Sequence, residues 1–268
     1  MTALKITTLV ENHVTGEGLC AEHGLSLLLD IFDNLGNRIK RVLFDTGQGD
    51  LFIRNSKVMN IDLTSVDAVV ISHGHYDHAG GLDYFLELNS SARVFMKESS
   101  LLPRFNGERF TGFNHREELS RGRMNYVTEP VELAPEFFIM PEINIKFEAD
   151  TSFSKDDKFE DELYLAFNDG KLLTLISGCS HRGITNIIES AVDYFKIPVA
   201  NIIGGLHTSN APLNRIDFIA DKLKEMISGS AGLCHCTGID QYSILKNRLP
   251  HINVFYNYCG KRVLIERS

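Results

Sequence analysis

The sequence predicts an α/β (α+β) fold: two facing mixed β-sheets with helices outside, all in one domain over residues 1–268. Two observations predict it. The first third of the chain is a series of short apolar runs separated by turn signals, the pattern of paired strands. The last third alternates apolar runs of strand length with stretches whose apolar residues recur every three or four positions. No repeat period, low-complexity tract or interdomain linker interrupts this layout.

Taken in order, "LKITTLVEN", "GLSLLLDIF" and "RVLFDTG" read as strands, with "DNLGNR" as the hairpin turn between the last two. "VDAVVISH" is a further strand, apolar enough to be buried on both faces. "GGLDYFLELN" places Leu82, Phe85 and Leu86 at helical spacing. From about 90 to 141 the pattern weakens. "RVFMKESS" suits a strand, and the rest, carrying Arg104, Arg109, Arg116, Arg121 and Arg123, reads as an irregular insertion or lid. Order returns with "INIKFEAD", then an acidic flexible loop, "DTSFSKDDKFEDE". "LYLAFNDGKLLTLISGC" is two strands joined by an Asn-Asp-Gly turn. "RGITNIIESAVDYF", "NRIDFIADKLKEMI" and "YSILKNRL" read as helices. "VANIIGGLH", "GLCHC" and "KRVLIE" read as strands.

Bulk composition narrows the classes of function. At 268 residues, 43% hydrophobic and 23% charged, the chain is an ordinary globular protein. A net charge of -8 argues against coating a polyanion, so no nucleic-acid partner is expected. Neither the N-terminal stretch nor any later run has the apolar length of a signal peptide or membrane span. The five cysteines, Cys20, Cys179, Cys234, Cys236 and Cys259, are odd in number and scattered, unlike a disulfide scaffold. A reducing cytoplasm, with no membrane partner, is the expected setting.

Chemistry concentrates in "VVISHGHYDHAGGL". Of 10 histidines, three fall within the six residues from His73 to His78. Residues two apart in extended backbone point to one side, so His73 and His75 can grip one ion, while Asp77 and His78 serve a neighbouring position. A polar strand-end loop is the bland rival. One loop cannot complete a catalytic metal shell, and His181, His207 and His235 each follow an apolar strand beside Gly or Cys. The spacing "CHC" is too short for a paired Cys-x-x-Cys knuckle, so Cys234 and Cys236 read as small buried residues. His23 is left without a role.

These residues resemble the metallo-β-lactamase superfamily over nearly the whole chain. The His-x-His-x-Asp-His motif matches residues 73–78, and the early Asp-Thr-Gly matches Asp45 in "LFDTG". "AEHGLSLLL", "SGCSHRGITNII", "IGGLH" and "CHCTG" are similar to the branch containing the archaeal dihydropterin–ribofuranosylaminobenzene phosphate synthase of methanopterin synthesis. The resemblance implies an αββα sandwich with a metal site on one sheet edge, and Asp45 as a brace for the histidine loop. Two family features are missing. There is no Gly-His-Thr turn, and Cys179 stands where many relatives carry a bridging Asp.

The resulting expectation is a metal-dependent hydrolase with one or two divalent ions per chain, zinc first, iron or manganese otherwise. His73, His75 and His181 hold one ion; Asp77, His78 and His235 hold a weaker second. The metal activates a water that Asp77 orients and deprotonates. Cys179 supports the site, with Cys179 or Glu148 open as a bridge. His207, Arg104 and Arg109 contact a small, anionic, phosphate-bearing substrate. The alternatives are a transferase like the pterin synthase and a non-catalytic metal or ligand sensor.

Overall fold

The computed structural model describes residues 3–154 and 157–267. They group into two compact units: residues up to Thr128 together with Tyr258–Arg267, and Glu129–Asn257. Strands β1 (Ala3–Val10), β2 (Ser26–Phe32), β3 (Arg38–Phe44), β4 (Ala68–Val70), β5 (Arg93–Met96), β6 (Phe105–Asn106), β7 (Arg109–Phe110) and β8 (Met124–Tyr126) belong to the first. The second holds β9 (Val131–Ala134), β10 (Phe137–Met140), β11 (Tyr164–Asn168), β12 (Leu173–Ile176), β13 (Val199–Gly204), β14 (Ile227–Leu233) and β15 (Asn253–Tyr256). The closing strand β16 (Arg262–Glu266) returns to the first unit.

The first unit's sheet has the order β16-β1-β2-β3-β4-β5-β8. It is antiparallel from β16 to β3 and parallel from β3 to β8. The β2–β3 hairpin forms where the sequence predicts it. Asp33 Oδ1 accepts from the Leu35 and Asn37 amides, both at 2.8 Å, and Gly36 takes φ 81°. Helices α1 (Leu51–Val58), α2 (Tyr76–Ala79), α3 (Leu82–Leu88) and α4 (Glu117–Ser120) follow the strands. Phe52 of α1 and Phe85 of α3 pack with Leu28, Leu43, Val69 and Val94 in one core. Full burial of each ring contributes about 2–3 kcal/mol.

The second unit's sheet runs β15-β14-β13-β12-β11-β10-β9, parallel from β15 to β12 and antiparallel beyond. Helices α5 (Ile184–Phe195), α6 (Leu213–Met226) and α7 (Ile239–Arg248) complete it. Ile184, Ile187, Ile188 and Ala191 of α5 bury one stripe, and Ile216, Ile219, Ala220 and Leu223 of α6 another, in the same core as Ile202 and Leu233. In both sheets the parallel strands deliver their carboxyl ends to one edge, where such sheets place ligand sites.

Three expected features differ. The segment 90–141 is only in part an irregular insertion: β5 and β8 extend the first sheet and β9 and β10 the second, while the stretch between β5 and β8 carries turns, the short β6–β7 ribbon and α4. The acidic loop is not simply a solvated tether. Lys155 and Asp156 lie outside the described residues, yet Phe159, Asp161 and Glu162 are buried. Finally, the strand expected at "GLCHC" ends at Leu233, and His235–Thr237 form a single 3-10 turn. Among the described residues no helix is long and apolar enough to cross a membrane.

Candidate metal centre

In the first unit, the chain leaves β4 and brings His73, His75, Asp77 and His78 together within one short loop and α2. His73 Nε2 and His75 Nδ1 lie 3.1 Å apart. Two nitrogens on a tetrahedral ion with bonds of about 2.0–2.1 Å are separated by roughly 3.3 Å, so this pair suits a shared ion. The His73 and His78 rings are 4.3 Å apart. Burial, with His78 and His75 beside it, holds the His73 imidazole well below its ordinary pKa and keeps it neutral, the ligating form.

Asp45 organises this loop. Its backbone is left-handed, φ 59°, and its carboxylate accepts from the Ser72 amide and the Ser72 hydroxyl, both at 2.7 Å. His78 Nδ1 lies 2.6 Å from Asp45 Oδ2 and donates to it, which puts the His78 lone pair on Nε2. The motif's glycine is sterically required: a Cβ on Gly74 would sit 2.1 Å from the Ser100 carbonyl oxygen. Asp77 Oδ2 lies 3.1 Å from His23 Nε2, which gives His23 a place the sequence did not assign.

The arginines divide. Arg104 is half-buried and near enough to His73 to disfavour its protonated form. Arg109 is exposed; its Nη2 donates to the Tyr76 hydroxyl at 2.9 Å, and its guanidinium lies 5.4 Å from that ring's centre.

In the second unit, the loops after β12, β13 and β14 carry Cys179, His181, His207, His235 and Cys236. Two triads have donor atoms all within 4.8 Å of one another: Cys179, His181 and His207, and Cys179, His235 and Cys236. Cys179 is common to both. His207, expected as a substrate contact, therefore stands among the donors, and Cys236 joins them although the sequence reads it as a small buried residue. Burial raises the Cys236 thiol. Hydrogen bonding with Cys179 and His207, with His235 beside it, outweighs that and holds it well below the usual thiol range. Glu148 is exposed and belongs to neither triad. Cys234 is buried.

This half has its own brace, which sequence reading missed. Glu162 Oε1 accepts from the His181 amide at 2.7 Å and Oε2 from the Arg182 amide at 2.8 Å. Burial pushes the Glu162 carboxyl up to about 7 despite those two bonds. The Phe159 ring stacks on His181 with centroids 3.6 Å apart and planes 1° apart, and Ser152 Oγ lies 3.1 Å from His181 Nδ1. Asp45, Ser180, His207 and His235 are all non-glycine residues with positive φ. Backbone strain of this kind costs about 1–3 kcal/mol per residue and collects at functional sites.

Two mixed sheets, a braced His-x-His-x-Asp-His loop and a second group of imidazole and thiol donors define a metallo-hydrolase-type fold. The chain belongs to the metallo-beta-lactamase superfamily, whose match spans residues 37–185. It is 31% identical to the 7,8-dihydropterin-6-methyl-4-(beta-D-ribofuranosyl)-aminobenzene-5'-phosphate synthase of Methanocaldococcus jannaschii, over 88% of each chain. An uncharacterised protein of the same organism is 28% identical over 90% of this chain and 93% of its own. The crystal structure of Tm1679, a metal-dependent hydrolase of the beta-lactamase superfamily, superposes with a TM-score of 0.82 and 29% identity, over 99% of this chain and 100% of that one.

Proposed function

We propose that the protein is a metal-dependent hydrolase of a small phosphate-bearing molecule. The observation that carries this is the donor set. His73, His75, Asp77 and His78 converge in one unit, while Cys179, His181 and His235 fall into donor triads in the other. Neutral imidazoles with a carboxylate suit zinc, iron or manganese. In this reading the metal ligands are His73, His75, Asp77 and His78 of the first unit and His181 and His235 of the second, for one or two ions per chain. A bound divalent ion would supply Lewis acidity, lowering the pKa of water and stabilising negative charge on a phosphoryl or carbonyl oxygen.

The chain's own residues do the rest. Asp77 orients the attacking water and takes up its proton, with His23 beside its Oδ2 to steady the carboxylate. Asp45 keeps the His78 tautomer, and Glu162 keeps the backbone that carries His181. Arg104, half-buried near His73, faces the anionic substrate in this reading, and Arg109 contacts it from the β6–β7 ribbon.

A second reading, group transfer, is favoured by the identity to the M. jannaschii synthase, whose name also supports a phosphate-bearing substrate. Tm1679 supports hydrolysis. Product analysis separates the two. Incubation with phosphoesters and lactones, and with a pterin pyrophosphate plus an arylamine acceptor, with added zinc, manganese or iron, gives only hydrolysis products under the first reading. A joined pterin product moves the assignment to the second. Tight metal binding with no turnover of any of these compounds would leave neither standing and point to a sensor.

A further inference from the structure

The second unit contains a cavity of about 500 Å³ whose wall includes Ser152, His207, Ser209, Asn210, Asn214 and Arg215. That volume is in the range of small-molecule sites. Among the described residues no carboxylate lines it. Its polar groups are hydroxyls, amides, an imidazole and a guanidinium, a set rich in donors.

Two further features give it a direction. The first turn of the 14-residue helix α6 lies in the wall, contains no acidic residue, and has no side-chain cap at Pro212. The first amides of a helix have no acceptor within it, and the dipole adds partial positive charge there. Independently, the wall carries buried donors with no partner among the described residues. Arg215, 9% exposed, is held by bonds from Nη1 to the His207 carbonyl and Nη2 to the Asp150 carbonyl, each 2.9 Å, and to the Leu206 carbonyl, with the buried Asp150 carboxylate 3.5 Å away, while its Nε has no hydrogen bond. His207 Nδ1 is likewise buried and unpartnered. Leaving buried polar groups unpaired is costly, and a ligand acceptor recovers that cost.

We infer that this cavity seats the phosphate group of the substrate. Helix amides on one side, His207 on another, and the Ser209 and Asn214 side chains at the rim offer donors from several directions to a tetrahedral dianion. The remaining volume leaves room for the group that the phosphate esterifies. Ser152, in the same wall, reaches the proposed ligand His181, so the seat adjoins the second unit's donors. This rests on the metal-enzyme reading above for its role in turnover, but the anion seat itself does not require an ion.

Calorimetric titration with inorganic phosphate tests it, on the protein as isolated and after chelation. Both samples are expected to bind one phosphate per chain saturably. Asn214→Asp, which puts a carboxylate into the helix's first turn where it favours the helix and repels the anion, is expected to weaken binding roughly tenfold or more. Its metal content should stay at the wild-type level. Ser209→Asp, at an exposed rim position, should do the same and guards against one variant misfolding. The inference is overturned if phosphate binding vanishes on chelation, or if both variants bind phosphate as the wild type does. Failure of the metal-enzyme reading would show separately, as lack of metal uptake with phosphate binding intact.

Discussion

His78 and Asp45 share a hydrogen bond of 2.6 Å between Nδ1 and Oδ2, with both side chains fully buried. The bond makes the His78 tautomer a property of the fold. Asp45→Asn can present an amide N–H to the imidazole, moving the ring proton to Nε2 and removing the ligating lone pair. Metal affinity is expected to fall by about 10–100-fold with the circular dichroism spectrum retained. Competition with a chromogenic chelator reads this directly. Affinity within a factor of about two of the wild type would refute the tautomer argument.

Glu162 performs the matching task in the second unit by accepting two successive backbone amides. Glu162→Gln can accept from one amide but turns its own NH2 toward the other. Thermal or denaturant unfolding is expected to show a loss of about 1–3 kcal/mol. An unchanged midpoint would mean that the carboxylate is dispensable.

Gly74 leaves no space for a side chain, because its Cβ would meet the Ser100 carbonyl at 2.1 Å. Gly74→Ala must displace the histidine loop or the Ser100 turn. The expected result is a folded protein that takes up much less metal, measured by elemental analysis after dialysis. Full metal uptake would show that the loop relaxes without cost to the site.

Asp150 gives a pH signature. Its carboxylate accepts from the Thr185 amide and hydroxyl at the start of α5 and lies 3.5 Å from Arg215. Burial nevertheless raises its pKa from 3.8 to about 6. The folded chain therefore binds a proton there more tightly than the unfolded chain does. This group's contribution favours the fold below about pH 4 and is lost as pH rises through about 6, on the order of 3 kcal/mol in all. Asp150→Asn removes that component. Denaturant unfolding of both proteins between pH 4 and 7 should show the wild type losing ground relative to the variant; parallel curves contradict the assignment.

What was legible in the sequence was what is local in the chain. The motif from His73 to His78 declares itself because its donors are adjacent, and α5 and α6 because their buried stripes repeat every three or four residues. Asp45 is legible only through the resemblance of its Asp-Thr-Gly to the family's early motif. Glu162 is not, because its work is done at amides 19 and 20 residues away and its surroundings read as a charged loop. Cys236 is hidden for a similar reason: it meets Cys179 and His207 only once the loops after β12 and β13 stand beside the loop after β14. Of strand β14 only the end, Gly232 and Leu233 in "GLCHC", is legible, because its earlier part is rich in Gly and Ser. Its small residues are required by packing, since a Cβ on Gly232 would lie 2.6 Å from the Phe255 ring.

The central claim is that these residues hold a divalent ion that turnover requires. Elemental analysis of the purified protein beside His73→Ala combined with His75→Ala, with phosphoester turnover assayed on the same samples, tests it most directly. The prediction is bound zinc, iron or manganese in the wild type, and its loss together with activity in the double variant. Equal metal content and equal turnover in the two proteins would contradict it.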